Sequence, residues 1–122
     1  MRQAVMYPRE TISFVVLEDD EAGQHWGLYV RNELVSIISL FEKNDSIQFR
    51  KFATKGNRQG KGYGTVLLKH VMDWARTTGK KSIWCNARTS ATSMYRKFDM
   101  HPTGATWVKY GLEFIKMEKQ LL

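Results

Sequence analysis

Three alternating glycines in Gln59-Gly60-Lys61-Gly62-Tyr63-Gly64 fall where a strand-patterned run ends and a helix-patterned run begins. Glycine removes the Cβ atoms that keep a ligand off the backbone, and the first turn of a helix leaves N–H groups unpaired at the positive end of its dipole. Such a junction is suited to an anion, with pyrophosphate the natural guest. It also restricts the fold. Strand, loop, helix and strand in succession form a crossover, so the strands flanking the helix must run parallel in one sheet.

The segments on either side of the loop support this reading. His25 to Val30, Leu34 to Glu42 and Ser46 to Thr54 are rich in Val, Ile, Phe and Tyr, and short polar breaks at 31–33 and 43–45 separate them. They predict a three-stranded antiparallel meander. Gly62 to Thr78 switches to helical spacing, with Leu67, Val71, Trp74, Ala75 and Thr78 on one stripe and Gly79 placed to end the helix in a left-handed cap. Lys81 to Ala87 predicts a short buried strand, Thr89 to Phe98 a second helix, and Thr106 to Gln120 two closing strands broken at Gly111. Met1 to Tyr7 has the pattern of the last turns of a helix stopped by Pro8, and the acidic run that follows is expected to be a connector. The expected fold is α/β in the α+β sense: a mixed, mostly antiparallel sheet with a central β-loop-α-β crossover, in one domain over residues 1–122.

A net charge of +7 favours an anionic partner, and Lys55, Arg58 and Lys61 crowd around the glycine loop. A nucleoside-triphosphate loop is excluded by the short spacing and by glycine where a magnesium-binding hydroxyl belongs, and a dinucleotide fingerprint by its third glycine coming one residue early. Cys85 is the one cysteine, so no internal disulfide forms and a reducing, cytoplasmic setting fits. No signal-peptide core opens the chain, and the apolar stretch Leu34 to Phe41 is too short to span a bilayer. His25, His70 and His101 have no ligand-like spacing, so no metal is expected.

The loop matches the glutamine-or-arginine, any, any, glycine, any, glycine-or-alanine motif of the GNAT superfamily of N-acetyltransferases, with Gln59 first, Gly62 fourth and Gly64 sixth. Trp84-Cys85-Asn86-Ala87-Arg88-Thr89-Ser90, leading to Tyr95-Arg96-Lys97, closely resembles the corresponding strand and helix of the glyphosate N-acetyltransferase type. The similarity extends through Phe49 to Thr54 and on to Met117 to Leu121. It implies a GNAT fold in which acetyl-CoA is the cofactor. Its pyrophosphate would be held by Gln59, Gly60, Lys61, Gly62, Tyr63, Gly64 and Thr65, and its pantetheine arm by the backbone of Phe52, Ala53 and Thr54, with Asn86 a further cofactor-binding residue.

The resemblance also assigns Tyr95 to the coenzyme A sulfur, and Arg50 and Arg88 to an anionic acceptor amine, for which guanidinium forks are suited. Where those enzymes carry a histidine, three residues before the methionine of the penultimate strand, this chain has Phe114. Glu113 beside it becomes the candidate base, because its parity with Ile115 and Met117 should turn it toward a desolvated cleft. The family's opening strand and most of its first helix have no counterpart here, which suggests a homodimer. The function implied is N-acetyl transfer to a small, anionic amine. The alternatives are a non-catalytic acyl-CoA-binding regulatory module and, less favoured, a basic nucleic-acid-binding protein.

Overall fold

The structure, a computed structural model, describes residues 2–6, 11–20 and 23–121. Its strands are β1 (Arg2–Met6), β2 (Thr11–Asp20), β3 (Gly23–Val30), β4 (Glu33–Lys43), β5 (Ser46–Thr54), β6 (Ser82–Arg88), β7 (His101–Lys109) and β8 (Leu112–Gln120). Helix α1 (Tyr63–Ala75) joins β5 to β6, and α2 (Thr92–Arg96) joins β6 to β7. The described strands form a single sheet in the order β1-β2-β3-β4-β5-β6-β8-β7. All neighbours are antiparallel except β5 and β6, as the crossover around the glycine loop requires.

The predicted meander is present as β3, β4 and β5. Its first turn carries Arg31 and Asn32 at φ 49° and 68°, the paired left-handed conformation that matches the twist of a tight hairpin. Parallel crossovers are right-handed, which sets α1 and α2 on the same face of the sheet. There Leu67, Val71 and Ala75 of α1, Tyr95 of α2 and Ile47, Phe49, Ile83 and Met117 of the strands merge into one core. Asp99 turns the chain after α2 with φ at 65°, and Met100 beyond it is fully buried.

Four expectations are corrected. Residues 2–6 are strand rather than helix, paired with β2, and Pro8 lies outside the described residues. The expected connector is largely β2: Ile12 and Phe14 alternate into the core, but a register shift between Val16 and Glu18 interrupts the period and hides the strand. Strand β7 begins at His101 rather than Thr106, its pattern broken by Gly104 at φ 80° and a register shift between Thr103 and Trp107. The helices are shorter than predicted. Thr77 and Thr78 hydroxyls donate to the carbonyls of Trp74 and Ala75 after α1 ends, and Thr89–Ala91 forms a 3₁₀ turn before α2. Among the described residues no helix is long and apolar enough to cross a membrane.

Candidate active site

The site arises where the two parallel strands part. β5 and β6 pair only from Ser46/Ser82 to Gln48/Trp84. Beyond that point Phe49–Thr54 stays paired with β4, and Cys85–Arg88 stays paired with β8, so each arm is anchored on its outer side. The divergence opens a cleft of about 660 Å³ between them. A bulge sharpens the bend of β5: Arg50 pairs with Ser39 and Ala53 with Ile37, and Lys51 between them has φ 54°. The buried Ser36 holds the far end, its hydroxyl donating to the Ala53 carbonyl at 2.9 Å and lying 3.1 Å from Thr54 Oγ1.

A smaller cleft of about 330 Å³ continues from the first, sharing Thr54, Gln59, Gly64 and Met94 with it. Gln59, Gly60, Gly62, Tyr63, Gly64 and Thr65 line it, while Lys61 does not. Gly60 and Gly62 have φ of 79° and 86°, and Gly62 caps α1 from this left-handed conformation. Gly64 is needed for closeness instead, since a Cβ there would meet Thr54 Oγ1 at 3.1 Å and the Phe52 ring at 3.4 Å. The N–H groups of Gly62, Gly64 and Thr65 donate to no described backbone carbonyl and remain for a ligand at the positive end of the helix.

The charges near the loop differ from expectation. Lys55 and Arg58 both bind Glu33, at 3.1 and 2.7 Å, and these hydrogen bonds, Arg58's first, hold the Glu33 carboxyl down at about 2. Their two charges share one carboxylate and are only partly answered by it; Arg58 also lines the smaller cleft, whereas Lys61, exposed and without an ion-pair partner among the described residues, does not. The Gln59 side chain ties the loop to β5 through the Thr54 carbonyl at 3.0 Å.

The larger cleft gathers most of the predicted site. Phe52, Ala53, Thr54 and Arg50 line it from β5, Asn86 and Arg88 from β6, and Tyr95 from α2. Tyr95 is only 8% exposed, packs its ring 5.9 Å from Phe49, and has no described partner for its hydroxyl. Burial, and secondarily the neighbouring Cys85, raises its pKa well above the ordinary tyrosine value. Cys85 also lines the cleft, and burial pushes its thiol up to about 12, so it stays protonated. Phe49, Ala91, Met94 and Phe114 complete the wall. These apolar positions carry no chemical signal in the sequence beyond helix or strand periodicity.

Glu113 is the exception. It is exposed, opposite Val108 on β7, and does not line the cleft, where Phe114 stands instead. Of β8 only Phe114, of the opposite parity to Met117, lines the cleft, and Glu113 lies past the last β6 partner, Arg88 opposite Phe114. Among the described residues no three His, Cys, Asp or Glu side chains gather as a metal site.

A sheet opened between two parallel strands, with a glycine loop at one end and a buried tyrosine facing the gap, is the frame of an acyl-transfer enzyme. The chain belongs to the GNAT acetyltransferases: the model of the acetyltransferase (GNAT) domain matches residues 5–121. No curated protein matches it in sequence. Among solved structures, a Lactobacillus plantarum protein assigned as an N-acetyltransferase superposes with a TM-score of 0.77 at 22% identity, over 88% of this chain and 75% of that one. The ribosomal-protein-S18-alanine N-acetyltransferase of Escherichia coli follows at 0.76 and 17%, over 84% and 71%. A Bacillus subtilis acetyltransferase in complex with CoA superposes at 0.72 and 18%, over 84% and 79%.

Proposed function

We propose that this acetyltransferase carries acetyl-CoA in the paired clefts and passes the acetyl group by direct attack to the amine of a small anionic acceptor, as in the glyphosate N-acetyltransferase type. The observation that carries the reading is the continuity of the glycine-loop cleft with the gap between β5 and β6. The pyrophosphate binds at the loop N–H groups, and the pantetheine runs along the unpaired edge of Phe52–Thr54 with Asn86 opposite. This brings the thioester toward Tyr95. Coenzyme A in the related Bacillus subtilis structure supports the cofactor.

In the transfer, the amine lone pair forms the N–C bond, the C–S bond breaks, the departing thiolate takes the Tyr95 proton, and the amine proton passes through water back to the Tyr95 oxygen. Arg50 and Arg88, lining the acceptor end from opposite arms, favour an anionic acceptor. A base role for Glu113 has no support from its exposed position, so Glu113→Gln is expected to leave kcat unchanged across the pH range, read from initial rates.

The reading is tested by calorimetric titration with acetyl-CoA, followed by a panel of anionic and neutral amines with free thiol assayed. Binding with thiol release on anionic amines is the expected result. Release only with neutral or cationic amines overturns the acceptor class, binding without release points to a regulatory module, and no binding overturns the cofactor assignment.

A further inference from the structure

The two arginines of the cleft are held differently. Arg50 donates from Nη2 to Gln48 Oε1 at 3.0 Å, and its Cζ lies 5.2 Å from the centre of the Phe41 ring. Gln48 is two residues back on β5, hence on the same face, and Phe41 is its partner on β4. The guanidinium is thus gripped at one edge and across its flat side.

Phe41 is fixed in turn. His25 meets it edge-on, with centroids 6.1 Å apart at 81°, and His25 Nδ1 lies 2.8 Å from Ser39 Oγ, on the residue that pairs with Arg50. A Cβ on Gly23 would run into the Leu40 carbonyl oxygen first and then Phe41 Cδ1 at 2.7 Å, so glycine there leaves room for both. Arg88, at the end of β6 and exposed as Arg50 is, has no hydrogen-bond, ion-pair or ring partner among the described residues.

A cation already held in its working orientation loses less side-chain freedom when a ligand arrives. We infer that Arg50 is the residue that selects the acceptor's anionic group, with Phe41 and Gln48 as its positioning residues, whereas Arg88 adds charge without fixing orientation. The inference rests on the anionic-acceptor reading above. Of the five guanidinium N–H groups one is engaged by Gln48, and the others are open to bidentate contact with a carboxylate, phosphate or phosphonate.

The test uses methylphosphonate, an anion with no amine, titrated calorimetrically into the protein saturated with coenzyme A. Phe41→Leu and Gln48→Met should each weaken its binding roughly two- to fivefold, the scale of one exposed cation–π or side-chain contact. Phe41→Trp should restore it, which a loss of fold would not allow, and coenzyme A affinity should be unchanged in all three. Arg50→Ala should weaken it more than Arg88→Ala. Equal binding by the wild type, Phe41→Leu and Gln48→Met overturns the inference while leaving the anionic acceptor standing, as does a larger loss from Arg88→Ala. A wild type that binds no anion overturns both.

Discussion

Tyr95→Phe is expected to lower kcat by about 10²- to 10⁴-fold, the range of a single positioned proton donor, with the affinity for acetyl-CoA unchanged. The substitution removes one oxygen and leaves the ring that packs on Phe49, so the wall of the cleft survives. What it removes is a hydroxyl, on a buried residue lining the larger cleft, that has no partner among the described residues. Burial disfavours the phenolate, so the group keeps its proton through neutral pH; it is also a weaker acid than the departing thiol, so the phenolate left by transfer must be reprotonated at once by the proton the amine releases. Any loss of rate from ionisation of Tyr95 should therefore begin above the ordinary tyrosine value of about 10, and the alkaline limb of the wild-type profile below that pH should persist in Tyr95→Phe. Stopped-flow thiol release, which separates the chemical step from product departure, measures it. A variant that keeps its full chemical rate would show that water protonates the thiolate.

How much of this was legible in the sequence depended on whether a feature was local. The glycine loop, the helix after it and the parallel pairing of β5 with β6 follow from residue types and periods within about twenty positions, and Arg50, Arg88 and Tyr95 do reach one cleft. Strand β2 was missed because its shift at Val16/Glu18 breaks the alternation that identifies a strand. The bulge at Lys51, which opens the cleft, has no composition cue: a lysine in left-handed conformation looks like any other lysine. Glu113 failed for another reason. Its parity with Ile115 and Met117 does not lead to the cleft, which Phe114 of the opposite parity lines, and whether a position is desolvated depends on where the neighbouring strand ends, a property of pairing rather than of one strand. The sharing of one carboxylate by Lys55 and Arg58 was hidden similarly, since Glu33 opens β4, more than twenty residues away in the chain.

Gly62→Ala should weaken acetyl-CoA binding by about ten- to a hundredfold, and a matched substitution at the other end of the same helix isolates the cause. Gly62 and Gly79 have φ of 86° and 79°, and a Cβ built on either meets nothing within 4 Å. Alanine at either position therefore carries the same penalty, roughly 1–2 kcal/mol for an L-residue held left-handed, with no steric clash added. If the strain is tolerated, both variants lose similar stability. If it is relieved by turning the loop, Gly62→Ala alone redirects the N–H groups of Gly62 and Gly64 that face the smaller cleft. Affinity is then lost in the one variant and not in the other, while thermal unfolding shows a loss in Gly62→Ala no larger than in Gly79→Ala. Each 1.4 kcal/mol of misdirected phosphate contact costs about tenfold in affinity, and two charge-assisted hydrogen bonds give the expected range. Equal affinities in the two variants would mean that the strained turn is kept with its N–H groups in place, and would refute the predicted loss. A loss confined to Gly62→Ala ties the left-handed loop to the cofactor, because conformation and space are matched and only the neighbouring cleft differs.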